Sequence, residues 1–249
     1  MNPSRDLQTR TTVSAQPRSI RSPGSTPLPS AEELAAVGQR EVARLAADRR
    51  RAAQGELERA VGRSGIPRRF LDRTFDSYLA ATPEQRQALD VCRTYADGFA
   101  QVRRRGGCLL LLGGPGTGKT HLACAILAQV IQAGHTGLFL SVSAALRILR
   151  DAYSPRGQRS ETEAFALLTG ADLLVLDEVG VAIGHASTRR AMLFDVLNDR
   201  YAEMRPTILI GNLTATELEA YLGERILDRL RELGSVTVPF SWPSHRRGG

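Results

Sequence analysis

The sequence predicts a three-layer α/β domain with a parallel sheet, and three observations lead to that fold. Residues 108–112 form an unbroken apolar run, which is typical of a strand buried on both faces. A glycine-rich segment separates this run from a helical stretch over residues 122–133, which Gly134 ends. Further apolar segments alternate with helical stretches, as a parallel sheet requires. We predict these later strands at residues 137–142, 173–176, 207–210 and 236–240.

The glycine-rich segment has the full G-x-x-x-x-G-K-T spacing of a phosphate-binding loop. Its Lys119 is the only lysine in a chain with 33 lysine and arginine residues, at a position where a compact ammonium is needed and a planar guanidinium is too wide. Glycines let backbone N–H groups converge on phosphates at the start of the helix. The loop therefore predicts binding of ATP, with the Thr120 hydroxyl as a ligand of Mg²⁺. The predicted nucleotide-binding residues are Gly113, Gly114, Pro115, Gly116, Thr117, Gly118, Lys119, Thr120 and His121.

The strand at residues 173–176 runs into the acid pair Asp177 and Glu178, which is a Walker B pattern. Because parallel strands end at the same edge of a sheet, Asp177 should lie beside the phosphate loop and hold Mg²⁺ through water. Glu178 would polarise the attacking water, which favours ATP hydrolysis over transfer of a phosphoryl group to a substrate. Asn212, after the next strand, can bridge the γ-phosphate and that water, or it is simply a turn residue.

Two arginines, Arg225 and Arg229, are spaced i and i+4 on a predicted helix that starts at Gly223, so they share a face. Such arginines are ordinarily solvated or paired with neighbouring carboxylates. In a ring or filament of ATPase subunits, an arginine at this place reaches the γ-phosphate of the neighbouring subunit. Arg246 or Arg247, near the C-terminus, could sense the phosphate of its own subunit.

Charge and cysteine content narrow the class of protein. The net charge is +7, and the surplus lies in residues 1–30 and 61–112, which suits an anionic partner such as nucleic acid or forms a solvated face. Cys92, Cys108 and Cys124 have no metal-ligand spacing, which indicates small core residues in a reducing compartment. Without a membrane-length apolar run or a signal peptide, the sequence predicts a cytoplasmic protein with no membrane partner.

The chain is predicted to contain three regions: a disordered basic tail over residues 1–29, a helical segment over 30–62 and the ATPase domain over 63–249. Ser30 opens a capping box, and the segment after it has a thin apolar stripe that should dock on a partner or on its own ATPase domain. Glycines and a proline indicate a linker over residues 62–67. A second capping box at Thr82 begins a helix that ends at Gly106, with Leu89, Cys92, Phe99 and Val102 on one face. The stripe consists of Leu34, Val37, Leu45 and Leu57.

With these motifs the chain resembles the DnaC-like replicative helicase loaders of bacteria, in the AAA+ ATPase superfamily. The resemblance covers residues 61–247 well and rests on seven stretches. They are Arg-Ser-Gly-Ile-Pro at 63–67, Phe-Asp-Ser-Tyr at 75–78, the loop and helix at 116–123, the Walker B segment at 172–181, Arg-Pro-Thr at 205–207, Leu-Gly-Glu-Arg-Ile-Leu-Asp-Arg-Leu at 222–230, and Ser-Trp-Pro-Ser-His-Arg at 241–246. The chain departs from the pattern in its Arg/Pro-rich tail and at residues 184–187.

This resemblance implies an N-terminal helical segment that grips the hexameric replicative helicase. It also implies an AAA+ P-loop ATPase domain that forms a spiral or ring, binds single-stranded DNA and opens the helicase ring. The resemblance also implies that ATP is bound and hydrolysed by Lys119, Thr120, Asp177 and Glu178. Asn212 is sensor 1, Arg229 is the arginine finger, and Arg246 is the second sensor.

Two other functions fit the same motifs. The related IstB-like transposition helper ATPases share the phosphate loop and the Walker B strand. A nucleotide-gated binding module with negligible turnover is the other alternative, since some ATPases act mainly by binding.

Overall fold

The computed structural model of the chain describes residues 39, 40, 42, 44, 45, 64–154, 160–181 and 185–245. The chain divides into two compact units, residues 1–49 and residues 50–249. In the first unit the five described residues are helical and exposed, and Leu45 of the predicted stripe is among them. The predicted tail and the following predictions lie outside the described residues: the capping box at Ser30, and Leu34, Val37 and Leu57 of the stripe.

The described part of the second unit contains a five-stranded, all-parallel sheet. Its strands are β1 (Leu109–Gly113), β2 (Gly137–Ser141), β3 (Leu173–Val179), β4 (Thr207–Gly211) and β5 (Val236–Phe240). Their order across the sheet is β2-β3-β4-β1-β5, so the first strand pairs with β4 on one side and β5 on the other. The carboxyl ends of β1, β3 and β4 therefore meet at one edge, as the sequence predicts.

Helices cover both faces of this sheet, which confirms the three-layer fold. They are α1 (Pro83–Asp97), α2 (Phe99–Arg105), α3 (Lys119–Gln132), α4 (Val142–Ala152), α5 (Glu161–Gly170), α6 (Ala186–Ala202), α7 (Ala215–Leu222) and α8 (Glu224–Glu232). Leu109 and Leu111 of β1 pack in the core beneath α1–α3, whereas Leu110 and Leu112 pack in the core beneath α4–α8. Burial on both faces explains the unbroken apolar run of β1. Within the described residues no helix is both long and apolar enough to cross a membrane.

The helix predicted from Thr82 to Gly106 is wrong as a single element. The capping box is present, because the Thr82 hydroxyl accepts a hydrogen bond from the Gln85 N–H and the Gln85 side chain accepts one from the Thr82 N–H. The helix, however, stops at Gly98, where φ is −89° and ψ is 12°, and α2 starts at the next residue. Glycine weakens a helix interior by about 1 kcal/mol relative to alanine, which explains the break. Phe99 still faces the core, with 2% of its surface exposed.

The linker predicted over residues 62–67 is also wrong in its described part. The Ser64 carbonyl accepts a hydrogen bond from the N–H of Phe139 at 2.6 Å, and Ser64 and Ile66 are buried. β2 is an edge strand, so its outer N–H groups need partners, and this carbonyl supplies one. Gly65 allows the close approach, because a Cβ there would lie 2.4 Å from the Phe139 oxygen. Ser64 therefore caps the edge of the sheet at β2, and residues 64–66 pack against the domain instead of forming a free linker.

A buried arginine, Arg200 of α6, ties together the edge of the sheet opposite the strands' carboxyl ends. It is 1% exposed, and its guanidinium donates to five oxygen atoms. Burial lowers the pKa of Arg200 to about 10, so it remains charged at neutral pH. The acceptors are the Thr207 hydroxyl at 2.9 Å and the carbonyls of Leu168 at 3.2 Å, Thr169 at 3.1 Å, Ala171 at 2.9 Å and Pro206 at 2.6 Å.

The three cysteines have the structural role that the sequence predicts. Cys92, Cys108 and Cys124 are buried and unbridged. Burial raises the pKa of Cys92 to about 12 and that of Cys108 to about 11, so both remain thiols. Among the described residues no group of three or more His, Cys, Asp or Glu side chains could hold a metal ion.

Candidate functional site

The phosphate loop joins β1 to α3 and has the geometry that its sequence predicts. The helix starts at Lys119, three residues earlier than predicted, so the start of α3 lies directly after the loop. Gly113 has φ of +140°, and a Cβ at this residue would lie 2.2 Å from the Phe240 carbonyl oxygen. Only glycine fits there, because β5 passes directly behind the loop.

The Lys119 side chain lies inside the loop and is 5% exposed. Its ammonium donates to the carbonyls of Gly113 at 2.8 Å and Gly114 at 2.5 Å, and lies 3.4 Å from the Thr117 hydroxyl. These three oxygen atoms hold the ammonium in place inside the loop. A phosphate bound in the loop would form charge-assisted hydrogen bonds with it.

The hydroxyl of Thr120 and the carboxylate of Asp177 meet where the loop faces β3. The Thr120 hydroxyl donates to Asp177 Oδ2 at 2.9 Å, and Asp177 Oδ1 accepts from the Glu178 N–H at 2.7 Å. Hard oxygen ligands next to a phosphate loop are what Mg²⁺ prefers. The residues present therefore fit a Mg²⁺ ion shared with the phosphates of a bound nucleotide.

Glu178 sits on a bulge at the carboxyl end of β3. The pairing of β3 with β4 shifts register between Leu176 and Val179, so Asp177 and Glu178 fall in the irregular stretch. Glu178 has φ of +62°, a left-handed conformation that is uncommon for a residue with a Cβ and is found often at functional sites. The side chain is exposed to the cleft, whereas Val179 returns to the core. The sequence predicts a strand that ends at residue 176, whereas β3 continues through the acid pair to Val179, and the bulge is not predicted.

An open cleft of about 600 Å³ connects these groups. Residues 115–121 of the loop and helix, Asp177 and Glu178 line it. Asn212, which follows β4, lines the same cleft and is exposed. The structure thus brings every predicted residue of the loop from Pro115 onward, the acid pair and Asn212 to one place.

Besides residues at the ends of β3 and β4, the cleft wall contains residues that sequence reasoning missed. They come from the segment before α1 and from the C-terminal segment after β5. The stretch at residues 75–78 is one of those that carry the family resemblance, but the sequence did not indicate that it lies at the cleft. The lining residues from these two segments are Arg69, Phe70, Arg73, Ser77, Tyr78, Leu79 and His245.

The predicted nucleotide-binding residue His121 connects α3 to that wall. Its Nε2 lies 2.8 Å from the Thr74 carbonyl, which can only accept, so Nε2 carries the proton. The ring packs edge-on against Tyr78 at 5.3 Å. Burial is the main cause that lowers the pKa of His121, opposed by the bond to Thr74 and assisted by the positive charge of Arg73. His121 lines the cleft and at the same time fixes its wall.

Arg229 lies outside the set of described residues that line the cleft. It is half-buried against α6, where it donates to the Asn198 side chain and stacks over Phe194 at 5.1 Å and Tyr201 at 5.5 Å. Arg225, which shares its face by sequence, is exposed. Arg246 and Arg247 lie outside the described residues.

Comparison with known proteins agrees with this geometry. Residues 72–237 match the family described as IstB-like ATP binding protein. The chain is 31% identical over 191 residues to the replicative helicase loader DnaC of Escherichia coli (strain K12). The aligned region covers 77% of this chain and 76% of that protein. It is 29% identical over 192 residues to the replicative helicase loader DnaC of Buchnera aphidicola subsp. Acyrthosiphon pisum (strain APS), with the same coverage. Among solved structures, the crystal structure of the DnaC helicase loader superimposes with a TM-score of 0.60 at 24% identity, covering 70% of this chain and 99% of that one.

Proposed function

This chain belongs to the family of IstB-like ATP-binding proteins and DnaC-like helicase loaders, a P-loop ATPase family, and on that premise we propose that it is an ATP-dependent loader. In this proposal it binds the replicative DNA helicase and delivers it onto single-stranded DNA. The observation that carries the proposal is the cleft that holds Lys119, Thr120 and Asp177 together, in a chain similar over most of its length to proteins named as such loaders.

In the proposed mechanism the loop binds the phosphates of ATP. The Lys119 ammonium exchanges carbonyl contacts for contacts with β- and γ-phosphate oxygens. Thr120 and Asp177 would hold Mg²⁺, which when bound offsets the negative charge that develops on the phosphates. The wall formed by Phe70 and Leu79, the latter 77% exposed, offers an apolar surface to the base.

Glu178 is proposed to activate the attacking water, and Asn212 to orient it. Two features support these roles: both side chains line the cleft, and β3 and β4 are neighbours in the sheet. The left-handed backbone of Glu178 fixes the direction in which its carboxylate leaves the strand. Turnover of ATP with and without single-stranded DNA tests this part, and absence of turnover under both conditions would favour a nucleotide-gated binding module.

Arg229 is proposed to complete the site of a neighbouring subunit in a spiral or ring. This role is supported by its absence from the described residues that line its own cleft, and by its contacts with Phe194, Tyr201 and Asn198 of α6 instead. Arg246 is proposed as the second sensor. Its neighbour His245 lines the cleft, and the His245 N–H donates to the Gly116 carbonyl at 3.0 Å.

Residues 30–62 are proposed to dock on the helicase as helices. Val42 and Leu45 are helical, three positions apart and 68% and 51% exposed, so they form an apolar face that a partner helix would cover. The double substitution Val42→Asp and Leu45→Asp should remove helicase binding and leave ATP turnover unchanged. Arg40→Asp is a suitable control, since Arg40 lies on the opposite side of the helical turn.

Deletion of residues 1–60 should likewise abolish capture of the helicase while ATP turnover and DNA binding persist. A truncated protein that stops hydrolysing ATP but still captures helicase would show that this segment packs on its own domain. Single-stranded DNA binding is proposed to depend on arginine contacts to phosphates, so its affinity should fall steeply as salt rises.

A second candidate function is a transposition helper, because the matching family is described as IstB-like. Parallel capture of the host's replicative helicase and of an IS21-type transposase on the immobilised protein separates the two functions. If the immobilised protein retains only the transposase, the protein is a transposition helper and the loader proposal is wrong.

A further inference from the structure

The Thr117 carbonyl, at the back of the phosphate loop, is held by side chains from two distant parts of the chain. Trp242 Nε1 donates to it at 2.9 Å, and the Tyr78 hydroxyl donates to it at 3.3 Å. Trp242 belongs to the segment after β5, and Tyr78 to the segment before α1. Both rings are buried, 8% and 7% exposed, and Thr117 itself is 1% exposed.

The neighbouring peptide unit is held in the same way. The Gly116 carbonyl accepts from the His245 N–H at 3.0 Å, so two consecutive carbonyls of the loop are bonded from outside the loop. Gly118 allows the approach of Tyr78, because a Cβ at this residue would lie 2.6 Å from the tyrosine ring. The contact between the loop and the flanking segments is therefore built closely into the fold.

Peptide planarity gives these contacts a consequence for ligand binding. The carbonyl of one residue and the N–H of the next belong to one rigid plane and point in opposite directions. Fixing the Thr117 carbonyl therefore fixes the direction of the Gly118 N–H, and fixing the Gly116 carbonyl fixes that of the Thr117 N–H. Thr117 and Gly118 line the cleft, where backbone N–H groups bind phosphate oxygens.

We propose that Trp242, assisted by Tyr78, is a positioning residue that orients the phosphate loop for nucleotide by bonding the Thr117 carbonyl from behind. The inference rests on the nucleotide binding proposed above and extends it to Tyr78, in the cleft wall, and to Trp242, which is not among the residues that line the cleft. Trp242 also stacks on Phe240 at 4.8 Å, and the Lys119 ammonium lies 5.9 Å from the Phe240 ring. The same aromatic pair thus supports the loop and its lysine. Burial raises the pKa of Tyr78 to about 12, so its hydroxyl remains a donor over the working pH range.

Three single substitutions test the inference. Trp242→Phe removes the indole N–H but keeps an aromatic ring, and Tyr78→Phe removes only a hydroxyl. Tyr95→Phe is the matched control: Tyr95 is 8% exposed and its hydroxyl donates to the Gly107 carbonyl at 2.9 Å, away from the cleft lining. For each protein, two quantities are measured: the affinity for mant-ADP with Mg²⁺, and hydrogen–deuterium exchange of loop peptides without nucleotide.

Trp242→Phe should weaken mant-ADP binding roughly 3- to 10-fold, the factor expected for one lost hydrogen bond. Tyr78→Phe should weaken it less, because its bond is longer. Both should speed exchange in the loop peptide, and the Tyr95→Phe control should leave both quantities at wild-type values. If Trp242→Phe does not fold, the comparison of Tyr78→Phe with Tyr95→Phe decides.

Wild-type affinity and wild-type loop exchange in both variants would overturn the positioning role. Equal effects in the Tyr95→Phe control would overturn it as well, since the changes would then reflect general loss of stability. A wild-type protein that binds no mant-ADP would instead overturn the nucleotide site itself.

Discussion

Replacement of the buried Arg200 by methionine should destabilise the ATPase domain strongly, although Arg200 is outside the cleft and outside every matched stretch. Methionine has similar length but no donor, so the five oxygen atoms around the guanidinium lose their bonds at once. Not all lose their last partner. The Thr169 carbonyl keeps Arg205, and the Pro206 carbonyl keeps the Leu174 N–H.

The main cost therefore falls on the buried Leu168 carbonyl and the buried Thr207 hydroxyl, because the Ala171 carbonyl is only partly buried. Each buried acceptor left without a partner costs about 1–3 kcal/mol, so Arg200→Met should lower the free energy of unfolding by about 2–6 kcal/mol. Domains of this kind are stable by only about 5–15 kcal/mol, so the loss is a large share of the total. Urea denaturation monitored by circular dichroism measures it, because the linear extrapolation gives the free energy of unfolding in water.

Arg205→Met is the matched control. Arg205 is half-buried and donates to the carbonyls of Thr169 and Gly170, where water can replace it, so its loss should cost under about 1 kcal/mol. Equal midpoints and slopes for the Arg200→Met and Arg205→Met proteins would refute the reasoning. Arg200 would then be dispensable, and its five contacts would contribute nothing beyond what solvent provides.

Three further predictions concern the cleft. Lys119→Ala and Lys119→Arg should both abolish tight binding of mant-ATP, because neither side chain can place a compact ammonium inside the loop. Binding of mant-ATP by Lys119→Arg at wild-type affinity would refute this prediction. Glu178→Gln should still bind ATP but hydrolyse it roughly 100-fold more slowly, the scale of a positioned acid–base group, as a phosphate-release assay would record. Arg229→Ala subunits should bind ATP without hydrolysing it and should regain partial activity when mixed with Lys119→Ala subunits. No recovery at any mixing ratio would make Arg229 a residue of its own subunit only.

The local motifs could be predicted from the sequence because each consists of residues that are close together in the chain. The loop glycines, Lys119 and Thr120 lie within one strand–loop–helix unit, and alternation of apolar segments with helical stretches is sufficient to predict a parallel sheet. The capping box at Thr82 was predictable for the same reason. The break at Gly98 was not, because glycine costs a helix interior only about 1 kcal/mol and many helices tolerate one.

The remaining features of the site are set by contacts between residues that are far apart in the chain. Trp242 and Thr117 are 125 positions apart, and no pattern within either segment indicates their hydrogen bond. The bulge that turns Glu178 into the cleft depends on how β3 pairs with β4, which the β3 sequence does not contain.

Local periodicity and spacing were sufficient to predict the fold class and to identify the loop and the Walker B strand as the candidate site. Contacts between distant segments decided which residues form the wall of the cleft, and they placed Ser64 at the edge of the sheet. They also decided that Arg229 rests on α6 and that Arg200 closes the far edge of the sheet. The physical reason is that unpaired backbone groups at strand and helix ends take whichever donor or acceptor the folded chain brings near them.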